Sequence, residues 1–180
     1  MEKRFIYVGT FDCDTFLGSY GIHAFEMDCQ TGALTKIEIQ NPGYNPDYLV
    51  TDTDKKFLFA SNDRQTRADV CAYQISSTGK LFLVSKLQLP GAGMASLEIS
   101  RDGRFLVAPY YETSAVGSCS VNGNGKLLKV VQQVSLQGHG ITERQTKAHP
   151  HQVLFDWEGK HVLVPDLGSD RVWSFSYDEN

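Results

Sequence analysis

The sequence lacks several features that would assign it to a common class of protein. No apolar run exceeds four residues, and apolar residues do not recur with helical spacing, so we expect neither a membrane-spanning helix nor a helical bundle. The apolar segment from Phe5 to Val8 is too short for an export signal. The net charge is −4, from 17 basic and 21 acidic residues, and no basic cluster is present. We therefore expect no nucleic-acid and no membrane partner.

Common catalytic and metal-binding signatures are also missing. The sequence has no G-x-S-x-G, no H-E-x-x-H and no Walker motif, which argues against serine-nucleophile and nucleotide-binding enzymes. Cys13, Cys29, Cys71 and Cys119 are scattered, without a C-x-x-C pair or a Cys/His cluster at metal-ligand spacing. We expect reduced thiols, a cytoplasmic location, no metal and no cofactor.

A repeat of about 50 residues is the main positive feature. Four short strand-like runs each follow a charged turn, and their corresponding first residues, Phe5, Phe57, Phe105 and His161, are 52, 48 and 56 residues apart. This spacing is close to the length of one four-stranded propeller blade. A Thr-Gly or Asn-Gly pair lies downstream in the first three copies, at Gly32, Gly79 and Gly125. Such pairs favour tight hairpin turns, which would join the last two strands of each blade.

The repeat predicts an all-β fold, a β-propeller with four-stranded antiparallel blades. Blade 1 covers residues 1–44 and lacks its first strand, blades 2 and 3 cover 45–92 and 93–147, and blade 4 covers 148–180 and lacks its last strand. These fourteen strands amount to about three and a half blades, whereas a closed propeller needs at least about four. We interpret the chain as the N-terminal part of a longer propeller and expect self-association through its open ends.

Candidate catalytic residues concentrate in the last forty residues. His149 and His151 are two residues apart, so in a strand both imidazoles face one side and can enter one cavity. Asp166 ends a later strand and can orient a histidine that acts as a general base. A purely structural interpretation has Asp166 accept hydrogen bonds from loop amides.

Candidate ligand-binding residues lie in the neighbouring loops. Arg144 belongs to a polar loop that precedes the histidines, and Arg171 follows the strand that contains Asp166. Asp63 occupies the corresponding rim position in blade 2. The arginines can pair with a phosphate or a carboxylate, so the set suits a small anionic substrate. The structural alternative for Arg171 is an ion pair between blades.

The chain resembles the 6-phosphogluconolactonase family of seven-bladed propellers, a lactonase fold group that also contains carboxymuconate cyclases. The resemblance rests on motifs along essentially the whole chain, which are Tyr7-Val8-Gly9-Thr10-Phe11, Gly21-Ile22-His23-Ala24-Phe25, Thr31-Gly32-Ala33-Leu34, Asn45-Pro46-Asp47-Tyr48-Leu49, the segment from Glu143-Arg144-Gln145 to His149-Pro150-His151, and Asp166-Leu167-Gly168-Ser169-Asp170-Arg171-Val172. Two segments depart from the usual pattern. The chain has Asn62-Asp63 where the family usually has Asn-Glu, and Ala108-Pro109-Tyr110-Tyr111 where it usually has Ala-Asn-Tyr-Gly.

The resemblance implies a cytoplasmic hydrolase that converts 6-phosphogluconolactone to 6-phosphogluconate in the pentose phosphate route. It places the His-x-His and Asp-Leu-Gly-x-x-Arg segments at the mouth of the channel. Two alternatives remain open at this point: a noncatalytic or truncated propeller that binds partners on its rim, and a carboxymuconate lactonising enzyme.

Overall fold

The structure is a computed structural model that describes residues 4–11, 21–41, 43, 45–64 and 66–178. The described residues form fourteen β-strands and no helix, and every strand pair is antiparallel. The predicted all-β propeller fold is therefore confirmed. Among these residues no helix is long and apolar enough to cross a membrane.

The strands form four sheets that follow one another along the chain. Sheet 1 contains β1 (Arg4–Val8), β2 (Ile22–Met27) and β3 (Leu34–Gln40). Sheet 2 contains β4 (Leu49–Thr51), β5 (Phe57–Arg64), β6 (Arg67–Ile75) and β7 (Leu81–Leu89). Sheet 3 contains β8 (Glu98–Ile99), β9 (Phe105–Tyr110), β10 (Ala115–Val121) and β11 (Leu127–Ser135). Sheet 4 contains β12 (Leu154–Phe155), β13 (His161–Asp166) and β14 (Arg171–Ser176).

Each sheet is a meander, in which strands adjacent in sequence are also adjacent in space. This is the arrangement of a propeller blade, and we refer to the four sheets as blades 1 to 4. The glycines predicted to form hairpin turns do so, since Gly32, Gly79 and Gly125 have φ values of 74°, 78° and 70°. Residues other than glycine rarely adopt this left-handed backbone conformation, which explains why glycine is found at these turns.

The blades pack face to face through apolar side chains. One buried cluster lies between blades 1 and 2, a second between blades 2 and 3, and a third between blades 3 and 4. Their central residues include Leu58, Phe59, Leu106 and Val164, all at most 1% exposed. Burial of this surface fixes the angle between neighbouring blades, and it thereby brings their loops together at one rim.

The cysteines of the described strands are buried thiols. Cys71 on β6 and Cys119 on β10 are each about 1% exposed or less and form no disulfide, while Cys29 lies exposed in a turn. Burial raises the pKa of Cys119 to about 12, so its thiol stays protonated at neutral pH. The prediction for Cys13 falls outside the described residues.

Candidate active site at the rim of blades 3 and 4

Three segments meet at one end of blades 3 and 4. They are the turn after β9 (residues 111–114), the linker between β11 and β12 (136–153) and the turn between β13 and β14 (167–170). The Ser114 hydroxyl donates to the carbonyl of Ala148 at 2.6 Å, and the side-chain amide of Gln145 donates to the carbonyl of Leu167 at 2.9 Å. These hydrogen bonds join the linker to a turn of each blade, so the three segments form one site, which we call the histidine rim.

The two histidines lie in an extended segment that pairs with the end of β13. The Leu167 amide donates to the carbonyl of His149 at 3.1 Å, and the His151 amide donates to the carbonyl of Pro165 at 3.0 Å. Pro150 lies between them and forms an isolated bridge with Asp166. Since proline has no backbone N–H to donate, it suits this short extended segment beside β13.

The Asp166 carboxylate organises the rim through five hydrogen bonds. One oxygen accepts from the backbone amides of His149, Gly168 and Ser169 at 2.6, 2.9 and 3.2 Å. The other accepts from the Ser169 hydroxyl at 2.6 Å and the Trp173 indole at 2.9 Å. Asp166 is only 3% exposed, and burial alone would raise the pKa of its carboxyl. The hydrogen bonds outweigh that effect and hold the pKa below its usual value, so the group is charged at neutral pH.

Asp166 therefore acts on the histidine segment through the backbone. Its partner at position 149 is the main-chain amide, and neither imidazole is among its five donors in the described part of the chain. The structure therefore agrees with the purely structural interpretation of Asp166, in which its carboxylate accepts hydrogen bonds from loop amides. The carboxylate does not contact a general base directly. It fixes the position of the segment that contains both histidines.

Tyr111 brings the two imidazoles into one cluster. Its ring stacks on His149 with centroids 4.2 Å apart and planes 24° apart, and it meets His151 edge-on with centroids 5.7 Å apart. Its carbonyl also lies 3.0 Å from Nδ1 of His149. A carbonyl only accepts, so this hydrogen bond places a proton on Nδ1. The turn of blade 3 thus contributes a ring and a carbonyl to the site.

The two histidines have different environments. His149 is 7% exposed, and one ring nitrogen is occupied by the Tyr111 carbonyl. His151 is exposed, and its ring makes no hydrogen bond to any residue that the structure describes. A general base must reach a solvent molecule or a substrate atom, which is possible for an exposed imidazole. His151 has the accessibility that this role requires, whereas His149 is a packed and hydrogen-bonded side chain.

Gly168 permits the close approach of the β13–β14 turn to the histidine segment. A Cβ atom at this position would lie 1.8 Å from the carbonyl oxygen of Lys147 and 2.7 Å from the amide nitrogen of His149. Both neighbours are backbone atoms that cannot rotate away. Any larger residue would separate the two segments and disturb the hydrogen bonds of Asp166.

The predicted ligand-binding residues lie around this cluster. The guanidinium of Arg171 lies 5.5 Å from the centre of the Trp173 ring, and within the described residues it makes this cation–π contact rather than the alternative ion pair between blades. Arg144 is exposed in the linker, next to Gln145, which is 8% exposed. Asp63 lies on β5, where its backbone pairs with Ala68, and its side chain is outside the described part of the structure.

Sequence reasoning missed the residues that hold the rim together. Tyr111 was visible only as a departure from the usual family pattern, and Gln145 only as one residue of a motif. Gln145 bonds the carboxylate of Asp170 as well as the Leu167 carbonyl. Their roles depend on contacts between residues 22 to 40 positions apart. In the described residues, no three His, Cys, Asp or Glu side chains group as metal ligands would.

The antiparallel blades and the polar rim between two of them define a β-propeller protein with a candidate small-molecule site. A family model described as "Lactonase, 7-bladed beta-propeller" matches residues 5–180. The chain belongs to this lactonase family of seven-bladed propellers.

Individual relatives agree with this assignment. The chain is 29% identical over 176 residues to a 6-phosphogluconolactonase of Bacillus subtilis, a match that covers 97% of this chain and 50% of the relative. It is 28% identical over 171 residues to a 6-phosphogluconolactonase of Formosa agariphila, with 89% and 48% covered. The structure of a periplasmic gluconolactonase from Pseudomonas aeruginosa superimposes with a TM-score of 0.87 at 27% identity, with 98% and 50% covered. The chain thus spans about half the length of the relatives it matches.

Proposed function

We propose that the protein containing this chain hydrolyses a sugar δ-lactone, with 6-phosphogluconolactone as substrate and 6-phosphogluconate as product. The observation that carries the proposal is the exposed imidazole of His151 on a fixed rim, in a chain of the lactonase family. Relatives named 6-phosphogluconolactonase support the choice of substrate. We also propose a cytoplasmic location. One similar structure is of a periplasmic enzyme, so a cell-fractionation experiment is the direct check.

In the proposed reaction, His151 acts as the general base. It takes a proton from a water molecule whose oxygen attacks the ring carbonyl carbon, and a tetrahedral oxyanion forms. The bond between this carbon and the ring oxygen then breaks, and the protonated imidazole returns the proton to the leaving ring oxygen. The product is one open-chain molecule with a new carboxylic acid and a new hydroxyl group, and the imidazole returns to its starting state. A δ-lactone also hydrolyses spontaneously, so the base has to supply only part of the rate.

The surroundings of His151 suit this role. The edge-on contact with Tyr111 restricts its ring, and Tyr111 is itself packed against His149. His149 is anchored at its amide by Asp166 and at its ring by the Tyr111 carbonyl. We therefore assign His149, Tyr111 and Asp166 as positioning residues, and we reserve the proton transfer for His151.

The arginines are our candidates for binding the anionic part of the substrate. Arg144 is exposed, and within the described residues its guanidinium has no acidic partner, so it can pair with a phosphate. Arg171 begins β14, directly after the turn at 167–170, and is the second candidate; its guanidinium contacts the Trp173 ring. Asp63 remains a prediction for substrate binding from blade 2. Either arginine could instead stabilise the oxyanion, and the kinetics of single variants separate the two roles.

The test is a lactonase assay on the protein that carries this chain, with the spontaneous opening of the lactone subtracted. We expect His151→Ala to lower the rate by roughly 10²-fold or more, the usual scale for losing a general base. His139→Ala is the matched control, since His139 is an exposed histidine in the same linker. Arg171→Ala should raise KM if the arginine only holds the phosphate and lower kcat if it contacts the oxyanion.

Three outcomes would redirect the proposal. Activity that is unchanged in both His151→Ala and Arg171→Ala would place the catalytic site elsewhere. A wild-type protein without activity above background on any sugar lactone would favour the alternative of a noncatalytic propeller. Ring closure of a muconate would favour the lactonising enzyme.

A further inference from the structure

The extended segment His149–His151 has counterparts in blades 2 and 3. In each of these blades a segment lies at the same distance from the second strand, and its middle residue, eleven positions before that strand, is buried. The three middle residues are Pro46 in blade 2, Met94 in blade 3 and Pro150 in blade 4. Met94 and Pro150 also form equivalent isolated bridges, to Tyr110 and Asp166. The segments therefore occupy one place in the repeat.

The residue that follows each middle residue corresponds in the same way. Side chains alternate along an extended chain, so Asp47, Ala95 and His151 lie on the side opposite to the buried middle residue. Asp47 and His151 are exposed, and Ala95 is half-buried. Asp47 is thus the counterpart in blade 2 of the candidate general base. Ala95, with its small side chain, holds the position in the blade between them.

The three segments border one end of the propeller axis. Each leads into the first strand of its blade, β4, β8 or β12, and these are the shortest strands of the described chain. First strands of this kind lie closest to the central channel of a propeller. A buried hydrogen bond joins the continuations of two segments directly, from the Val153 amide to the Ser96 hydroxyl at 2.9 Å. Asp47 and His151 therefore lie at the same mouth of the channel, two blades apart.

The Asp47 carboxylate is fixed at one of its oxygens. The buried Ser61 hydroxyl donates to Oδ1 of Asp47 at 2.7 Å and accepts from the Tyr48 amide at 3.0 Å. Blade 1 packs closely on the same segment, since a Cβ atom at Gly9 would lie 1.8 Å from the carbonyl oxygen of Pro46. Within the described residues Ser61 is the only donor to the carboxylate, which leaves Oδ2 available to a ligand.

The chemistry of this oxygen suits a hydroxylated ligand. A carboxylate oxygen only accepts hydrogen bonds, and sugar hydroxyls can donate them. Such a bond is stronger than one between neutral groups, because the acceptor is charged. A dicarboxylate such as a muconate would instead meet a like charge at this position.

We propose that Asp47 binds hydroxyl groups of a sugar lactone whose ring ester lies at His151, and that it thereby favours polyhydroxylated substrates. The inference rests on the proposed function for the reaction, although binding of the hydroxyl groups does not require hydrolysis. The small side chain of Ala95 leaves the space between the two residues open to the sugar ring. Asp47 contacts the substrate away from the reacting carbonyl, so it contributes to binding rather than to the chemical step.

A purely structural role for Asp47 would be to hold Ser61, and two variants separate this role from ligand binding. In Asp47→Asn the side-chain oxygen still accepts from Ser61, whereas the negative charge is lost. In Asp47→Ala the Ser61 hydroxyl can turn to the Asn45 carbonyl, which lies 3.3 Å away. We therefore expect both variants to fold, as circular dichroism and thermal unfolding can verify.

The first test is an assay with 6-phosphogluconolactone on the protein that carries this chain. We expect Asp47→Ala to raise KM about tenfold or more, the usual scale for losing a hydrogen bond to a charged group, and to leave kcat within about twofold. Asp47→Asn should raise KM less, because the hydroxyl groups keep a neutral partner. Asp54→Ala is the matched control and should behave like the wild type, since Asp54 is an exposed aspartate in the turn between β4 and β5, at the opposite end of blade 2.

The second test measures binding without hydrolysis. Gluconolactam has the hydroxyl groups of the sugar lactone, and its ring amide resists hydrolysis, so calorimetry can measure its Kd. Asp47→Ala should weaken the binding of gluconolactam about tenfold or more. The comparison ligand δ-valerolactam has the ring amide and no hydroxyl groups, so it should bind the wild type and the variant equally.

The outcomes distinguish this inference from the proposed reaction. An active lactonase in which Asp47→Ala leaves KM unchanged would overturn the role of Asp47 and leave the reaction intact. A lower kcat at constant KM would also overturn it, because Asp47 would then act in the chemical step. An inactive protein that binds gluconolactam through Asp47 would support the inference and refute the hydrolysis. Absence of both activity and gluconolactam binding would overturn both.

Discussion

We expect Asp166→Asn to destabilise the protein, although asparagine has nearly the same shape as aspartate. The carboxylate accepts hydrogen bonds from three backbone amides, the Ser169 hydroxyl and the Trp173 indole. An asparagine oxygen can replace the carboxylate oxygen that faces the amides. Its NH₂ group then faces the hydroxyl, which can rotate to accept, and the indole N–H, which only donates. Two donors therefore meet at Trp173.

The magnitude follows from this one mismatch. A buried donor that loses a charged acceptor costs about 1.5–3 kcal/mol of unfolding free energy. The remaining hydrogen bonds also lose their charge assistance, so we expect a total of about 2–3 kcal/mol. For a chain of this size, about 2–4 °C of Tm is lost per kcal/mol, which gives a decrease of roughly 4–12 °C. Urea unfolding followed by far-UV circular dichroism measures the free energy without relying on tryptophan emission.

A double-mutant cycle identifies the cause. Trp173→Phe removes the indole donor, so the cost of Asp166→Asn should be smaller in that background than in the wild type by at least about 1.5 kcal/mol. Equal costs in the two backgrounds would refute the assigned mismatch.

The pH dependence of stability provides a second test. Because the folded pKa of Asp166 is below its ordinary 3.8, its stabilisation is present above about pH 3.8 and is lost as the pH falls through the folded pKa. The difference between wild type and variant should shrink in that range.

Three further predictions concern other parts of the chain. Gly168→Ala should lower the free energy of unfolding in urea by about 1–3 kcal/mol, because the new Cβ would collide with the Lys147 carbonyl. Gly123→Ala is the control and should change it by no more than about 0.5 kcal/mol, because open space surrounds Gly123. The pKa of Asp156 is lowered to about 2, chiefly by the hydrogen bond from His161, so its stabilisation should be lost as the pH falls from 3.8 to about 2; Asp156→Asn should abolish this loss in thermal unfolding at graded pH. The isolated chain should self-associate through its open edges in sedimentation equilibrium, and a mass of 20.1 kDa at all concentrations would contradict this.

The strand positions could be read from the sequence because the signals are local. In blade 2 the sequence pattern predicts strands at 48–51, 57–61, 70–75 and 81–89, and the last of these is found at β7 (Leu81–Leu89). The second and third strands of blade 2, expected at 57–61 and 70–75, are longer in the structure, at β5 (Phe57–Arg64) and β6 (Arg67–Ile75). Their pairing continues through Asn62 and Asp69 toward the turn. The sequence pattern shows where apolar side chains alternate, but it does not show where backbone pairing continues among polar residues.

The candidate site was predictable only in part. The His-x-His and Asp-Leu-Gly segments drew attention to one end of blade 4 because their residue types are capable of acid–base chemistry, and in the structure these two segments lie side by side. The sequence could not show that the Asp166 carboxylate bonds backbone amides rather than an imidazole. Both arrangements use the same residues, and only the path of the turn decides which donors lie within hydrogen-bond distance of the carboxylate.

The sequence by itself determined the repeat, the all-β class and the glycine turns, since each depends on residues close together in the chain. Tertiary structure alone decided that Tyr111 lies between two histidines 38 and 40 residues away. It also decided that His149 is buried while His151 is exposed. These properties arise when apolar packing between blades 3 and 4 sets the distance between their loops, and no local pattern encodes that distance.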